Sequence, residues 1–151
     1  MAFTQRFATA VVAGGLAVGL ASCSMGSDLG FQDLQAGQCY DESGVNLEAD
    51  TNVMIIQFEE ADCSKPHQVE AIAVMPIDLV AYDEAAILDG LETRCDDAFL
   101  SYVGIDAAQS EHFLYFDWPS EKQWDTGIHS GVCLVTDLGG AMEGSIAGTA
   151  S

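Results

Sequence analysis

The stretch of this sequence with the most chemically versatile side chains runs from Asp62 to Glu70 and reads Asp-Cys-Ser-Lys-Pro-His-Gln-Val-Glu. His67 follows Pro66, and Glu70 lies three residues further on. Because a histidine titrates near neutral pH, His67 can serve as a general base or a metal ligand, with Glu70 or Asp62 assisting. We therefore select His67 and Glu70 as candidate functional residues.

Strand geometry limits how His67 and Glu70 can cooperate. On a regular strand, His67 and Val69 share one face, whereas Gln68 and Glu70 share the other. Direct contact between His67 and Glu70 therefore requires a turn or a bulge at Gln68. The competing interpretation is structural: Pro66 and His67 shape the start of a strand, and the imidazole bonds to a backbone carbonyl.

Other patterns with catalytic meaning are missing from the sequence. It contains no Gly-x-Ser-x-Gly motif of a serine hydrolase and no EF-hand spacing among its acids. His67, His112 and His129 match the number of protein ligands in catalytic zinc sites, but they are widely scattered. We therefore predict no catalytic residue, no metal and no cofactor.

Trp124 is a third candidate functional residue, within a predicted short helix over residues 119–124. A tryptophan in such a segment is either a core anchor or, when exposed, part of an interface. The residue type alone does not separate these two roles.

The first 22 residues resemble a bacterial lipoprotein signal peptide. Arg6 is the only charged residue before Asp28, and the apolar run after it is shorter than the about 20 residues that span a bilayer. Leu20-Ala21-Ser22-Cys23 is similar to a lipobox, in which the new amino-terminal cysteine is lipidated. We predict lipidation of Cys23 by palmitate and location at the extracytoplasmic face of the cell membrane. The alternatives are an ordinary signal peptide or an uncleaved signal anchor.

The predicted domain organisation follows from this cleavage. Residues 1–22 are the signal peptide, residues 23–36 a tether, residues 37–148 the folded domain and residues 149–151 a tail.

The chain is strongly acidic, with 24 Asp and Glu against four Lys and Arg and a formal net charge of −20. The first 22 residues contain Arg6 and no acid, so their removal changes the net charge to −21. A field of this sign repels phosphate backbones, which excludes nucleic acid as a partner. Solubility is one explanation of the acidity, and binding of a cation or a basic partner is the other.

Four cysteines remain beyond Cys23, namely Cys39, Cys63, Cys95 and Cys133. They are far apart and contain no Cys-x-x-Cys pair, which argues against a zinc site or a thioredoxin-like motif. An even number in an exported protein predicts two disulfides, for which three pairings exist. We favour Cys39–Cys63 and Cys95–Cys133, because each then joins neighbouring elements.

The hydrophobic pattern predicts one small α+β domain. Ile87, Leu91, Cys95 and Phe99 are spaced four apart and predict a helix over residues 83–102. This helix should pack on a largely antiparallel sheet, accompanied by the second, short helix and two disulfides. Predicted strands cover residues 37–40, 51–58, 68–75, 112–116 and 128–136, with a turn over 41–44 and a short edge strand near 145–146.

Several motifs, taken in order, resemble the septum-formation domain family of exported and membrane proteins of actinobacteria. They are Gly37-Gln38-Cys39-Tyr40, Cys63 to Glu70, Cys95, Tyr102-Val103-Gly104, Pro119, Trp124, Gly127, Cys133 and Gly144-Ser145-Ile146. The order Cys-x-x-Pro-His-x-x-Glu is the most specific part, and the resemblance covers about residues 34–148. His129 departs from the family, where an arginine is expected.

The resemblance implies a cell-envelope domain linked to septum formation, without an established enzymatic activity. We therefore expect a lipid-anchored, non-enzymatic domain that binds an envelope protein or a cell-wall component. Two alternatives are a small metal-assisted cell-wall hydrolase centred on His67 and an acidic, cation-binding sensor module.

Overall fold

A central antiparallel sheet organises the computed structural model, which describes residues 29–47 and 54–151. The strands are β1 (Gln38–Leu47), β2 (Met54–Ala61), β3 (Pro66–His67), β4 (Val69–Pro76), β5 (Phe113–Asp117), β6 (Ser130–Thr136) and β7 (Met142–Glu143). The five-stranded sheet has the order β2-β1-β4-β6-β5, and β3 pairs with β7 in a separate two-stranded sheet. All pairings are antiparallel, which confirms the predicted α+β class.

The long helix α1 spans Glu84–Val103, and the short helix α2 spans Glu121–Asp125. The Asp83 carboxylate caps α1 by accepting the Ala86 amide at 3.1 Å, and Gly104 ends it in the left-handed conformation. The buried side chains of α1 follow one another every four residues, as predicted. Within the described ranges, no helix combines the length and apolar composition needed to cross a membrane.

The two faces of the sheet are covered by different parts of the chain. Successive side chains of β6 point to opposite faces, so Cys133 and Val135 contact the α1 side while Val132 and Leu134 contact the other. The second face is covered by the segment before β1, from which Phe31 and Leu34 pack against the sheet.

The segment before β1 is part of the folded structure. The backbones of Leu29 and Phe58 exchange two hydrogen bonds of 2.8 and 2.9 Å, and Phe31 is buried. The folded part therefore begins earlier than the predicted tether boundary at residue 36. The predicted signal peptide and Cys23 lie outside the described residues.

Both disulfides have the predicted sequential pairing. Cys39–Cys63 joins β1 to the loop after β2, and Cys95–Cys133 joins α1 to β6, with Cα atoms 5.3 and 5.5 Å apart. In the chain-entropy model, a disulfide that closes a loop of this size raises the free energy of unfolding by about 3–4 kcal/mol. The second disulfide fixes the long helix to β6, the strand next to β5.

The predicted turn over residues 41–44 is wrong, because β1 continues through it to Leu47. Glu42 pairs with Phe58 and Gly44 with Gln57, so Ser43 is an extra residue in the ladder. A β-bulge accommodates one such residue without ending the strand.

Two predictions near the C-terminus also need correction. Pro119 is not the first residue of the short helix. Ser120 is the N-cap, and its hydroxyl accepts the Gln123 amide, a bond that proline cannot make. The short strand near the C-terminus is Met142–Glu143 rather than residues 145–146, which lie against β4 instead.

Two glycines provide a test of the contact between α1 and the sheet. A Cβ atom at Gly131 of β6 would lie 2.7 Å from Leu91 Cδ1 and 3.0 Å from the Asp117 carbonyl oxygen. We expect Gly131→Ala to lower the free energy of unfolding by about 1–3 kcal/mol, because the helix must move away. Equilibrium urea unfolding measures this change.

The matched control is Gly90 within α1, where an added Cβ has no neighbour within 4 Å. Gly90→Ala should raise the free energy of unfolding by about 0.5–1 kcal/mol, because alanine restricts the unfolded chain. A Gly131→Ala protein as stable as Gly90→Ala would contradict the close contact between α1 and β6.

Candidate functional site

Glu70 is the only buried acidic side chain in the part of the chain that the structure describes, with 0% of its surface exposed. It lies on β4 opposite Cys39 of β1. The hydroxyls of Tyr102 and Ser145 each donate to Oε1 at 2.6 Å, and the Ile146 amide donates to Oε2 at 2.9 Å. Burying a carboxylate is costly unless it is hydrogen-bonded, and these three donors offset that cost.

Tyr102 connects Glu70 to the end of α1. Burial raises the pKa of Tyr102, and the hydrogen bond to Glu70 raises it further, so the phenol keeps its proton and donates. The Tyr102 carbonyl accepts the Gly148 amide at 2.7 Å, and the Val103 carbonyl accepts the Ala150 amide at 2.9 Å. The C-terminal segment is therefore attached to both the sheet and the helix.

His67 is buried as completely as Glu70, with 1% exposed. It pairs with Met142 in the two-stranded sheet, and its Nδ1 lies 2.9 Å from the Lys65 carbonyl oxygen. Since a carbonyl only accepts, Nδ1 carries a proton, and in the neutral form of this tautomer Nε2 is the acceptor. Nε2 is buried and has no hydrogen-bond partner among the described residues.

The chain changes sheets at Gln68, between β3 and β4. The Gln68 amide donates to the Asp41 carboxylate at 3.1 Å, its side chain accepts the Glu42 amide at 2.8 Å, and its carbonyl accepts the Thr136 hydroxyl at 2.8 Å. This break removes the strand alternation that would separate His67 from Glu70. Both side chains consequently point into the interior.

Three residues from different segments meet there and form the Cys39–His67–Glu70 cluster. A ring nitrogen of His67, the Cys39 sulfur and a Glu70 oxygen all lie within 4.8 Å of one another. All three residues are buried, and Cys39 is in the disulfide with Cys63. The cluster is closed to a substrate in this state and holds β1, β4 and the C-terminal segment together.

Asp62 does not join the cluster. It is exposed and accepts the amide and hydroxyl of Ser64 at 3.0 and 2.7 Å, and Lys65 Nζ lies 3.5 Å away. Hydrogen bonds from Ser64 lower the pKa of Asp62. Its role is to fix the loop that carries Cys63.

The other selected residues lie elsewhere. His112 contacts the Asp137 carboxylate at 2.6 Å, and His129 stacks on Trp124 with ring centroids 3.9 Å apart. The three histidines therefore do not meet at one site among the described residues. Trp124 is buried, so it packs the core instead of presenting an exposed interface.

Residue type alone does not identify the hydrogen-bond partners of Glu70 in the sequence. A tyrosine, a serine and a backbone amide have no chemical pattern that links them across the sequence to residue 70. Tyr102 and Ser145 do belong to segments that carry the family resemblance. That resemblance is the feature of the sequence that could have identified them as site residues.

A second surface lies along β5, one of the two outer strands of the five-stranded sheet. A cleft of about 290 Å³ opens between β5 and α1. Leu114 and Phe116 of β5 line it together with Glu92 and Asp96 of α1, and Phe113 beside it is 48% exposed. These two acids were not selected from the sequence, although their spacing of four places them on one helical face.

Removal of the Glu70 side chain tests the role of the buried carboxylate. Glu70→Ala leaves three donors without their acceptor, and we expect a loss of about 3–5 kcal/mol in the free energy of unfolding. Tyr102→Phe removes one donor and should cost about 1–3 kcal/mol. Urea unfolding measures both changes.

Amide hydrogen exchange provides a second measurement that is specific to the C-terminal segment. In Glu70→Ala, the amides of Ile146 and Gly148 should exchange faster than in the wild type. Wild-type stability and wild-type exchange in this variant would show that Glu70 does not hold the segment.

The comparison with protein families gives a match over most of the folded chain. The model of the family described as septum formation matches residues 30–133, which is more than half of the chain. The matched part includes both disulfides and the Cys39–His67–Glu70 cluster. No match is found to a curated protein or to a solved structure. The chain belongs to the septum formation family.

Proposed function

We propose that this protein is a lipid-anchored, extracytoplasmic domain that serves septum formation by binding an envelope protein, without catalysis. The bound element is an extended, basic segment of that partner, which lies along β5. Membership of the septum formation family supports a role in septum formation. The observation that carries the binding role is the open edge of β5 beside an acid-lined cleft.

The outer edge of β5 is the first element of the proposed docking surface. β5 pairs with β6 on one side and has no strand on its other side among the described residues. An extended peptide can add to such an edge as a further strand. Exposed Phe113 provides apolar area at the start of this edge.

The cleft next to β5 fits a basic side chain. Leu114 and Phe116 provide apolar lining, and Glu92 and Asp96 provide carboxylates on the same side of α1. The methylene groups of Lys or Arg pack on apolar surface while the charged head reaches the acids. A partner segment that alternates basic and apolar residues therefore matches both the edge and the cleft.

The charge of the whole chain favours the same class of partner. The formal net charge is −20, and two of its few basic residues are already bound. Lys65 pairs with Asp62, and Arg94 donates to the Pro76 carbonyl at 2.7 Å. A negative field speeds the association of a basic partner and makes it sensitive to salt.

The closed cluster around His67 supports binding over hydrolysis. A general base must come within hydrogen-bond reach of its substrate. His67 is 1% exposed, and its Nδ1 is committed to the Lys65 carbonyl. A metal-assisted hydrolase centred on His67 would need the surrounding segments to separate.

Charge reversal in the cleft tests the proposed docking surface. The double variant Glu92→Lys and Asp96→Lys should weaken recovery of the partner at least tenfold in a pull-down from mildly crosslinked envelopes. Binding by the wild type should also fall as salt is added, because exposed charges are screened.

The control double variant, Asp89→Lys and Asp97→Lys, makes the same change of charge on exposed positions of the same helix that do not line the cleft. This control should recover as much of the partner in the pull-down as the wild type does. Equal loss in both variants would show that overall charge, not the cleft, attracts the partner. Introduced at the chromosomal locus, only the cleft variant should alter septa.

Replacement of Cys23 tests the lipid anchor. Cys23→Ser should release the protein into the medium or leave it uncleaved, and labelling with palmitate should disappear. Labelling that survives this change would rule out lipidation at Cys23.

A further inference from the structure

We propose that Cys39, His67 and Glu70 form a binding site for a zinc-like divalent metal ion that opens when the Cys39–Cys63 disulfide is reduced. This site is separate from the docking surface on β5. It uses the three buried residues whose ligand atoms lie within 4.8 Å of one another.

The histidine is already prepared as a metal ligand. Its Nδ1 donates to the Lys65 carbonyl at 2.9 Å, which fixes the tautomer and leaves Nε2 with a free lone pair. Nε2 is buried and meets no hydrogen-bond partner in residues 29–47 and 54–151, a costly state for a polar atom. Metal-bound histidines typically donate their second ring nitrogen to a carbonyl in this way.

Glu70 has acceptor capacity left after its three hydrogen bonds. A carboxylate offers about four lone-pair sites. Tyr102 and Ser145 occupy Oε1, whereas Oε2 accepts the Ile146 amide alone within the described part of the chain. These donors orient the carboxylate, so Glu70 can coordinate a cation without losing them.

The ligand set and its dimensions fit zinc. Zinc takes thiolate, imidazole and carboxylate ligands at about 2.0–2.3 Å, which places tetrahedral ligand atoms about 3.3–3.8 Å apart. The separations here, up to 4.8 Å, need a contraction of about 1 Å. Cys63, bonded to Cys39 in the present state, can supply a fourth ligand after reduction, and water can take that position when Cys63 is replaced.

The disulfide controls access to the site, because its sulfur atoms are poor ligands until they are reduced. A dithiol reductant transfers two electrons and two protons to Cys39–Cys63 and becomes a disulfide itself. The resulting Cys39 thiol then loses its proton to water as the metal–sulfur bond forms. Reoxidation by a disulfide of the same class reverses the exchange and expels the metal.

Selective opening of each disulfide provides the test. Full-length chains all carry Cys23→Ser, so that no other thiol is free, and cobalt(II) or zinc is the probe. Cys63→Ser frees Cys39 beside His67 and Glu70. This protein should bind one metal ion per chain and show the thiolate-to-cobalt absorption of a tetrahedral site.

The control is Cys133→Ser, which frees Cys95 among apolar neighbours and should bind at least 100-fold more weakly. Adding His67→Ala to Cys63→Ser should also weaken binding at least tenfold. The parent chain, which carries Cys23→Ser alone and serves as the wild type in this comparison, should bind only after treatment with a dithiol. If Cys63→Ser folds only with metal, refolding by zinc but not magnesium supports the site.

Three results would overturn the proposal. One is a Cys63→Ser protein that neither binds cobalt(II) nor refolds with zinc. Another is an affinity of Cys133→Ser for the metal ion equal to that of Cys63→Ser, which would indicate that any free thiol in the protein binds the metal. The third is equal binding by the oxidised wild type, which would show that the Cys39 thiolate is not a ligand.

Discussion

The buried carboxylate of Glu70 is the interaction on which the helix-covered side of the molecule depends. An acid without solvent is stable only when its oxygens are hydrogen-bonded, and each of the three donors comes from a segment distant in sequence. Tyr102 lies in the last turn of the long helix, and Ser145 and Ile146 lie near the C-terminus. The requirement to satisfy one charged group thus fixes the helix end and the C-terminal segment against the same strand.

The Cys-x-x-Pro-His-x-x-Glu motif has a structural explanation in these contacts. Cys63 attaches the motif to β1, His67 pairs with β7, and Glu70 binds the C-terminal segment. A motif that looks catalytic in sequence therefore has its histidine and glutamate buried, and it connects parts of the fold. The proposed recognition of a partner rests instead on exposed residues such as Phe113 and Glu92, whose types have no distinctive signature in the sequence.

The sequence predicts features that depend on local pattern and misses those that depend on distant contacts. The spacing of Ile87, Leu91 and Cys95 gives the long helix, because burial repeats with the helical period. The change of sheets at Gln68 and the bulge at Ser43 are not readable locally, since partner strands decide both. Of the site, His67 and Glu70 were identified by type, whereas their proximity to Cys39 required the fold.

The consecutive order of the two disulfides bears on oxidative folding. In a chain that emerges amino terminus first, Cys63 becomes available to Cys39 before Cys95 appears, so the competing Cys63–Cys95 pair is pre-empted. Cys95 then meets Cys133 as the next free thiol. Shorter loops also close at lower entropic cost. Emergence of the chain in this order therefore favours the native pairing.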